Sequence, residues 1–292
     1  MRVGLHDADR NGFPNLPLMK ISTWHQLIGD TVEWWRADGG YYDLVYSSKV
    51  FTFTRVESLL PPHAVKGGTG YDLTTVLPDY IEACYPDYTL YGIDYSLGFL
   101  TRGCPRRCEW CFVPEKEGGI RPAGDISNFL QGNSAVLMDN NPLACDHGIQ
   151  QIEKMGQMGI KVDFNQGLDA RLIDNATARL LSKLKWLTPL RLACDSHAMI
   201  NPIAKAVEHL RYHNTTPQAF TCYVLVKEID DALERVKFLK SMYITPFAQP
   251  YIDKDGTPPT RLQRRFARWV NTRMIYKKMT WEDYQEMQGD NI

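Results

Sequence analysis

The sequence predicts an α/β protein in two parts, a small open parallel sheet followed by an incomplete (β/α)6 barrel. Three observations predict it. Short apolar runs alternate with stretches of helical periodicity along the chain. From Gly98 onward the runs recur roughly every 25 to 35 residues, the length of a βα unit. Each of those runs ends on polar residues, as strands do at the carboxyl edge of a parallel sheet.

The first part, residues 1–96, opens with Arg2-Val-Gly-Leu5, which ends in polar His6-Asp-Ala-Asp9 and reads as a strand. A helical stretch runs from about Leu18 to Trp35. Asp43-Leu-Val-Tyr46 reads as a second strand. His63-Ala-Val-Lys-Gly-Gly-Thr-Gly-Tyr-Asp72 sets a glycine-rich turn just after another apolar piece. This order predicts a Rossmann-like sheet. Asp7 and Asp9 fall where open sheets place ligands, and we read them as solvated carboxylates. No Gly-Lys-Ser/Thr follows the glycines, so they carry no phosphate-loop motif. The stretch from Tyr85 to Tyr95, rich in Pro, Asp and Tyr, reads as a connector.

In the second part, residues 97–256, the strands are expected at Gly98 to Arg102, Ala135 to Met138, Lys161 to Phe164, Leu190 to Ala193, Phe220 to Val226 and Tyr243 to Phe247. Helices are expected at Ile149 to Met158, Asn175 to Lys185, Pro202 to His213 and Asp230 to Leu239. Six units are two short of a closed eight-unit barrel. The expected strand ends carry Thr101 to Cys111, then Asp139-Asn140-Asn141, Asn165-Gln166, Asp195-Ser196, Lys227-Glu228 and Gln249. Chains become polar wherever a strand leaves a core, so no single one of these positions argues for chemistry. Their gathering on one rim with three cysteines does. Residues 257–292 are expected to form one or two terminal helices.

Composition fits this plan. The 292 residues are 44% hydrophobic and 23% charged, the profile of a packed globular chain rather than a disordered or fibrous one. Lys+Arg at 33 against Asp+Glu at 34 leaves a net charge of -1, so any polyanion site must be local. No apolar run reaches membrane-spanning length, and no apolar segment follows a basic one at the start. Neither a membrane partner nor an export signal is therefore expected, and a cytoplasmic setting is.

Seven cysteines in such a setting read as thiols or metal ligands rather than disulfides. Cys84, Cys145, Cys194 and Cys222 are scattered, and the last three read as small buried hydrophobes. Cys104, Cys108 and Cys111 fall within eight residues. Gly103 and Pro105 favour a tight turn there, which would let the three thiolates close around one centre. Zinc in a closed site asks for a fourth ligand, and the next candidates, Cys145 and His147, are not at a local spacing. A [4Fe-4S] cluster on three cysteines leaves one iron open to a further ligand.

With Trp110 just before the last cysteine, Cys104, Cys108 and Cys111 form CxxxCxxC, and on these residues the chain resembles the radical S-adenosylmethionine (radical SAM) superfamily. The resemblance covers Gly98 to about Tyr251 and is strongest from Arg102 to Gly118. It implies a radical SAM barrel and a [4Fe-4S] cluster on Cys104, Cys108 and Cys111. The open iron would chelate S-adenosyl-L-methionine, which an electron from flavodoxin or ferredoxin cleaves to methionine and a 5'-deoxyadenosyl radical. That radical takes a hydrogen from a substrate the sequence does not identify. By the same resemblance Trp110 would pack near the adenine, Asp139 and Asn140 near the methionine moiety, and Asp195 or Ser196 at the ribose hydroxyls. Gln166 and Arg171 are candidates for the substrate side and for a carboxylate clamp. Two alternatives stand beside this reading: a non-catalytic iron–sulfur or redox-sensing protein, and a structural zinc protein.

The first part is similar to the cobalamin-binding-like domains that precede radical SAM barrels in one branch of the superfamily, and Gly67-Gly-Thr-Gly70 fits that arrangement. No Asp-x-His-x-x-Gly occurs, so cobalamin held through a lower histidine is not expected. Cys104 with Phe112-Val-Pro114 is also similar to the methylthiotransferase branch. That branch carries three more cluster cysteines in its amino-terminal domain, where this chain has Cys84 alone, so a second cluster is not expected.

Between Arg261 and Lys278 lie seven basic residues, Arg261, Arg264, Arg265, Arg268, Arg273, Lys277 and Lys278, and no acidic one. Leu262, Phe266, Trp269 and Val270 form an apolar stripe at helical spacing. A docked helix with a basic outer face would result, either a solvated face or a surface for nucleic-acid phosphates.

Overall fold

The computed structural model describes residues 1–55, 59–214, 220–253 and 256–288. The last four residues of the expected terminal extension, 289–292, lie outside them. The fold is mixed α/β, and the three larger sheets are built on parallel pairings. The chain divides into two compact units, Met1–Gly98 with Ser127–Gly132, and Phe99–Ile126 with Asn133–Ile292.

The first unit runs β1 (Arg2–Asp7), α1 (Leu16–Leu27), β2 (Thr31–Trp34), β3 (Leu44–Ser48), β4 (Val65–Gly67), α2 (Asp79–Glu82) and β5 (Ser96–Gly98). Its sheet has the order β2-β1-β3-β4. Helix α1 starts where the Asn15 side chain accepts the Leu18 amide at 3.3 Å, with Pro17 in the first turn. It buries Leu18 and Ile21 against Val3, Leu5 and Ile81.

The helix expected from about Leu18 to Trp35 ends early. Gly29 at φ +86° turns the chain, and β-branched Thr31 and Val32 enter a ladder beside Arg2 and Val3. Asp7 and Asp9 are not solvated as expected. Asp7 is buried, taking the Asp9 amide at 3.1 Å and the Tyr91 hydroxyl at 2.8 Å. Asp9 accepts the Val50 amide at 2.6 Å and the Thr54 hydroxyl at 2.5 Å, holding the loop after β3. The glycine-rich turn also serves the fold. A Cβ at Gly68 would lie 2.4 Å from the Lys49 carbonyl, and the Gly70 amide donates to that same oxygen at 2.9 Å.

The second unit runs β6 (Thr101–Arg102), α3 (Val113–Lys116), β7 (Arg121–Pro122), β8 (Ser134–Leu137), α4 (Asp146–Met158), β9 (Lys161–Phe164), α5 (Asn175–Leu181) and β10 (Lys185–Trp186). It continues with β11 (Leu190–Ala193), α6 (Ile200–Tyr212), β12 (Phe220–Val226), α7 (Ile229–Ser241), β13 (Ile244–Pro250), α8 (Arg261–Asn271), α9 (Arg273–Lys278) and α10 (Trp281–Met287). Strands β10, β9 and β8 pair in parallel, as do β11, β12 and β13. A single parallel bridge, Leu168 to Leu192, joins the segment after β9 to β11. The sequence signalled neither β10 nor β7, each two residues long.

Helices α4 to α7 lay Ile152, Met155, Leu181, Val207, Leu210, Val236 and Leu239 on the buried side of these strands, which supply Leu137, Val162, Leu192, Cys222 and Val224. The intervening residues of β11 to β13 are only partly covered. Ala193, Tyr223 and Phe247 stand in register across three strands on that second face. Fully enclosed parallel strands would be apolar on both faces, so this face is the accessible one.

Three terminal helices form where one or two were expected. A capping box between Thr260 and Gln263 starts α8. Phe266, Trp269 and Trp281 pack ring to ring at 5.1 to 5.6 Å between centroids. Leu262 does not join the buried stripe: in the first turn of α8 it is 41% exposed, whereas Phe266, Trp269 and Val270 are buried. No helix among the described residues is long and apolar enough to cross a membrane.

Candidate functional site

The three clustered cysteines sit on one loop, and the way that loop is closed sets the geometry. It leaves the sheet after β6 and returns through β7, which pairs antiparallel with β6 through Thr101–Pro122 and Arg102–Arg121. Gly103 begins it at φ +80°, where a Cβ would lie 2.2 Å from the Gly119 carbonyl, so only glycine fits. The Cys104 amide donates to the Gly118 carbonyl at 3.2 Å, and the Cys111 amide to the Cys108 carbonyl at 3.0 Å. Helix α3 follows directly, with Pro114 in its first turn.

None of the three is in a disulfide, and all three are half-buried. The Arg106 amide donates to Cys104 Sγ and the Val113 amide to Cys111 Sγ, both at 3.4 Å. Asn141 Nδ2 lies 3.6 Å from Cys104 Sγ. Amide donors of this kind are what a metal-bound sulfur receives from its surroundings. Burial pushes the Cys108 thiol up, Arg171 pulls it back, and the charges of Cys104, Asp195 and Asp169 add to the upward push. Cys104, Cys108, Asp169, Arg171 and Asp195 thus share one electrostatic neighbourhood, drawn from the loop and from the segments after β9 and β11.

The remaining expected site residues divide between inward and outward roles. Asp139 is buried and accepts the Leu100 amide at 3.1 Å, the Thr101 amide at 2.6 Å and the Thr101 hydroxyl at 2.7 Å. Burial pushes its carboxyl up against the pull of those donors. It anchors the strand that delivers the cysteines rather than facing the loop's open side. Asn140 donates to Glu117 Oε2 at 2.9 Å. Arg171, expected as a carboxylate clamp, already grips Asp169 through Nε at 2.7 Å and Nη2 at 3.0 Å. Gln166 is exposed in the turn after β9. Trp110, Asp195 and Ser196 are half-buried. Burial raises the Asp195 carboxyl, while Arg235 and Arg171 pull it down.

Four residues that the sequence left without roles organise this region. Glu117 takes the Gly103 amide at 2.8 Å and the Arg102 guanidinium at 2.9 Å, besides Asn140. Asp169 gathers Arg106 at 3.1 Å, Asn141 at 3.1 Å and Arg171. Burial works against ionisation of Asp169, but Arg171 and Arg106 outweigh it and hold the carboxyl below its ordinary range. Asn141 Oδ1 is buried with no hydrogen-bond partner. Arg235, buried in α7, donates to the carbonyls of Cys194 and Leu225 and pairs with Asp231, fixing the chain just before Asp195. An Asp four residues ahead of an Arg on a helix was the readable signal for that pair.

Among the described residues no three Cys, His, Asp or Glu side chains are drawn together tightly enough to hold a single metal ion. A cluster spreads its thiolates over separate irons, which asks for a wider setting. The donor set suits such a group: three thiols on one loop, amide donors at two sulfurs, a side-chain amide at one of them, and an orphaned buried carbonyl beside it. The chain matches no family model, and no curated protein matches it.

Proposed function

We propose that the chain is a cytoplasmic radical SAM enzyme, in which Cys104, Cys108 and Cys111 hold a [4Fe-4S] cluster at the rim of an incomplete (β/α)6 barrel. The observation that carries this reading is the loop itself: three cysteines outside any disulfide, two receiving backbone amides, beside Arg171 and Asp195 from two other strand ends. When bound, the cluster and S-adenosyl-L-methionine supply one-electron cleavage to methionine and a 5'-deoxyadenosyl radical.

This chain's own residues do the rest. Glu117 and Gly103 close the loop, so the cysteines are presented from a fixed base. Asn141 and the Arg106 amide donate to the Cys104 sulfur and orient it. Asp169 holds two arginines beside the sulfurs, where their charge offsets that of the thiolates. Tyr223 donates to the Asn165 carbonyl at 2.8 Å and, with Phe247, offers an aromatic floor on the accessible face of the sheet for the second substrate. The exposed arginines of α8 form a surface for a nucleic-acid substrate or partner, and flavodoxin or ferredoxin is the electron donor.

The test is anaerobic reconstitution followed by reduction with S-adenosyl-L-methionine present. About four irons per chain and a brown protein are expected, with 5'-deoxyadenosine released. Iron without 5'-deoxyadenosine would replace this reading with a non-catalytic iron–sulfur protein, and a colourless zinc protein would end it.

A further inference from the structure

The first unit holds a cavity of about 410 Å³ at the carboxyl ends of β1 and β2. Open parallel sheets take ligands at this edge, and the volume lies within the range of small-molecule sites. Its walls are aromatic. Trp34 meets Tyr91 edge to face at 5.2 Å and Trp35 meets His6 at 5.4 Å, while Phe13 at the mouth is 71% exposed. Trp34, 38% exposed, keeps part of its surface open although it lies in a strand.

Charge around the cavity favours an anion. Arg10 and Arg36 line it, and the one lining carboxylate, Asp7, already takes the Asp9 amide and the Tyr91 hydroxyl. Arg10 sits at φ +41°, a conformation that residues other than glycine seldom adopt and that gathers at ligand sites. Arg36 pairs with Asp38, both more than 70% exposed, and a surface pair of that kind exchanges readily for a ligand.

We propose that this cavity binds a nucleoside monophosphate, its base against Trp34 and Tyr91 and its phosphate on Arg10 and Arg36. Aromatic faces accept any base by stacking, and guanidinium forks match phosphate oxygens. A bare aromatic acid would leave much of the volume empty, whereas ring, sugar and phosphate together fill it. The cavity is lined wholly by residues of the first unit, and this proposal does not rest on the cysteine loop.

The test is titration calorimetry on the full chain with AMP, GMP, CMP and UMP, and with adenosine and inorganic phosphate as fragments. At least one monophosphate should bind saturably, one per chain, about tenfold or more tighter than either fragment. Arg10→Gln and Trp34→Ala should each weaken that binding about tenfold with Tm unchanged, and Cys108→Ala should bind as the parent does. Arg10 is on the surface, so its variant keeps the test valid should Trp34→Ala fail to fold. Three results would overturn the proposal: no saturable monophosphate binding, binding indifferent to Arg10→Gln, or binding lost with Cys108→Ala.

Discussion

Glu117 Oε2 accepts the Gly103 amide at 2.8 Å, so a carboxylate 14 residues on fastens the first residue of the cysteine loop. The same carboxylate carries Arg102 and Asn140. Glu117→Ala removes three partners at once and should cost about 1–3 kcal/mol in thermal unfolding. Because the loop loses its clasp, iron retained after anaerobic reconstitution should fall well below that of the parent. Glu117→Gln keeps a carbonyl acceptor and should fall between the two. An iron assay that reads all three chains alike would show that the clasp does not matter for the cysteines.

Gly103→Ala tests the same hinge from the backbone. Its methyl would meet the Gly119 carbonyl at 2.2 Å, and the φ of +80° adds strain of about 1–3 kcal/mol. The damage should stay local, since Gly103 contributes nothing to the apolar core. Iron content should drop sharply while far-ultraviolet circular dichroism keeps its shape. Full iron loading in this variant would mean that the turn is more pliable than its contacts indicate.

The cysteines divide into two sets by environment. Cys108 is half-buried on the loop, whereas Cys222 is fully buried, its thiol pushed well up by burial and by neighbouring Cys194. Cys108→Ala should therefore abolish brown colour and 5'-deoxyadenosine release. Cys222→Ala should spare both, shifting Tm by no more than a small core truncation does. Equal loss of iron from the two variants would contradict the ligand assignment.

The sequence made strands legible where apolar runs were bounded by turns. β9, β11 and β12 occupy Lys161–Phe164, Leu190–Ala193 and Phe220–Val226, as their patterns predict. β2 was not legible, because Val32 and Trp34 continue the helical period of α1 and only the ladder to β1 makes them a strand. At the candidate site, position was readable and direction was not. Asp139 stands at a strand end as expected, yet it turns back to Leu100 and Thr101, a choice made by partners 38 and 39 residues away. Glu117 looked like one more loop acid, since a bond to an amide 14 residues earlier leaves no periodic trace.

Acid should act on the glycine-rich segment through Asp72. Its carboxylate takes the amides of Thr74 at 2.7 Å and Thr75 at 2.6 Å, and both hydroxyls, which lowers its pKa to about 2. A depressed carboxyl stabilises the fold above its unfolded value, 3.8, and loses that contribution as pH falls through the folded one. Titration of the Asp72 carboxyl carbon by nuclear magnetic resonance should place its midpoint near 2. Asp72→Asn should flatten the dependence of Tm on pH between those two values. A midpoint at the ordinary value would show that the turn is not held in solution.

The carboxy-terminal helix α8 separates its two faces cleanly. Phe266, Trp269 and Val270 are buried, while Arg261, Arg264 and Arg268 are exposed, and Arg273, Lys277 and Lys278 extend the charge through α9. If this face meets phosphates, each lysine or arginine that pairs with one releases roughly one counterion, so affinity falls steeply with salt. Reversing Arg264 and Arg268 to Glu should weaken RNA retention on filters at low salt and make the salt slope shallower by about one for each arginine–phosphate pair removed. The core side of α8 is untouched by these changes, so Tm should stay close to that of the parent. Retention that is unchanged in the double variant would leave the basic face as a solvated one, with the substrate sought elsewhere.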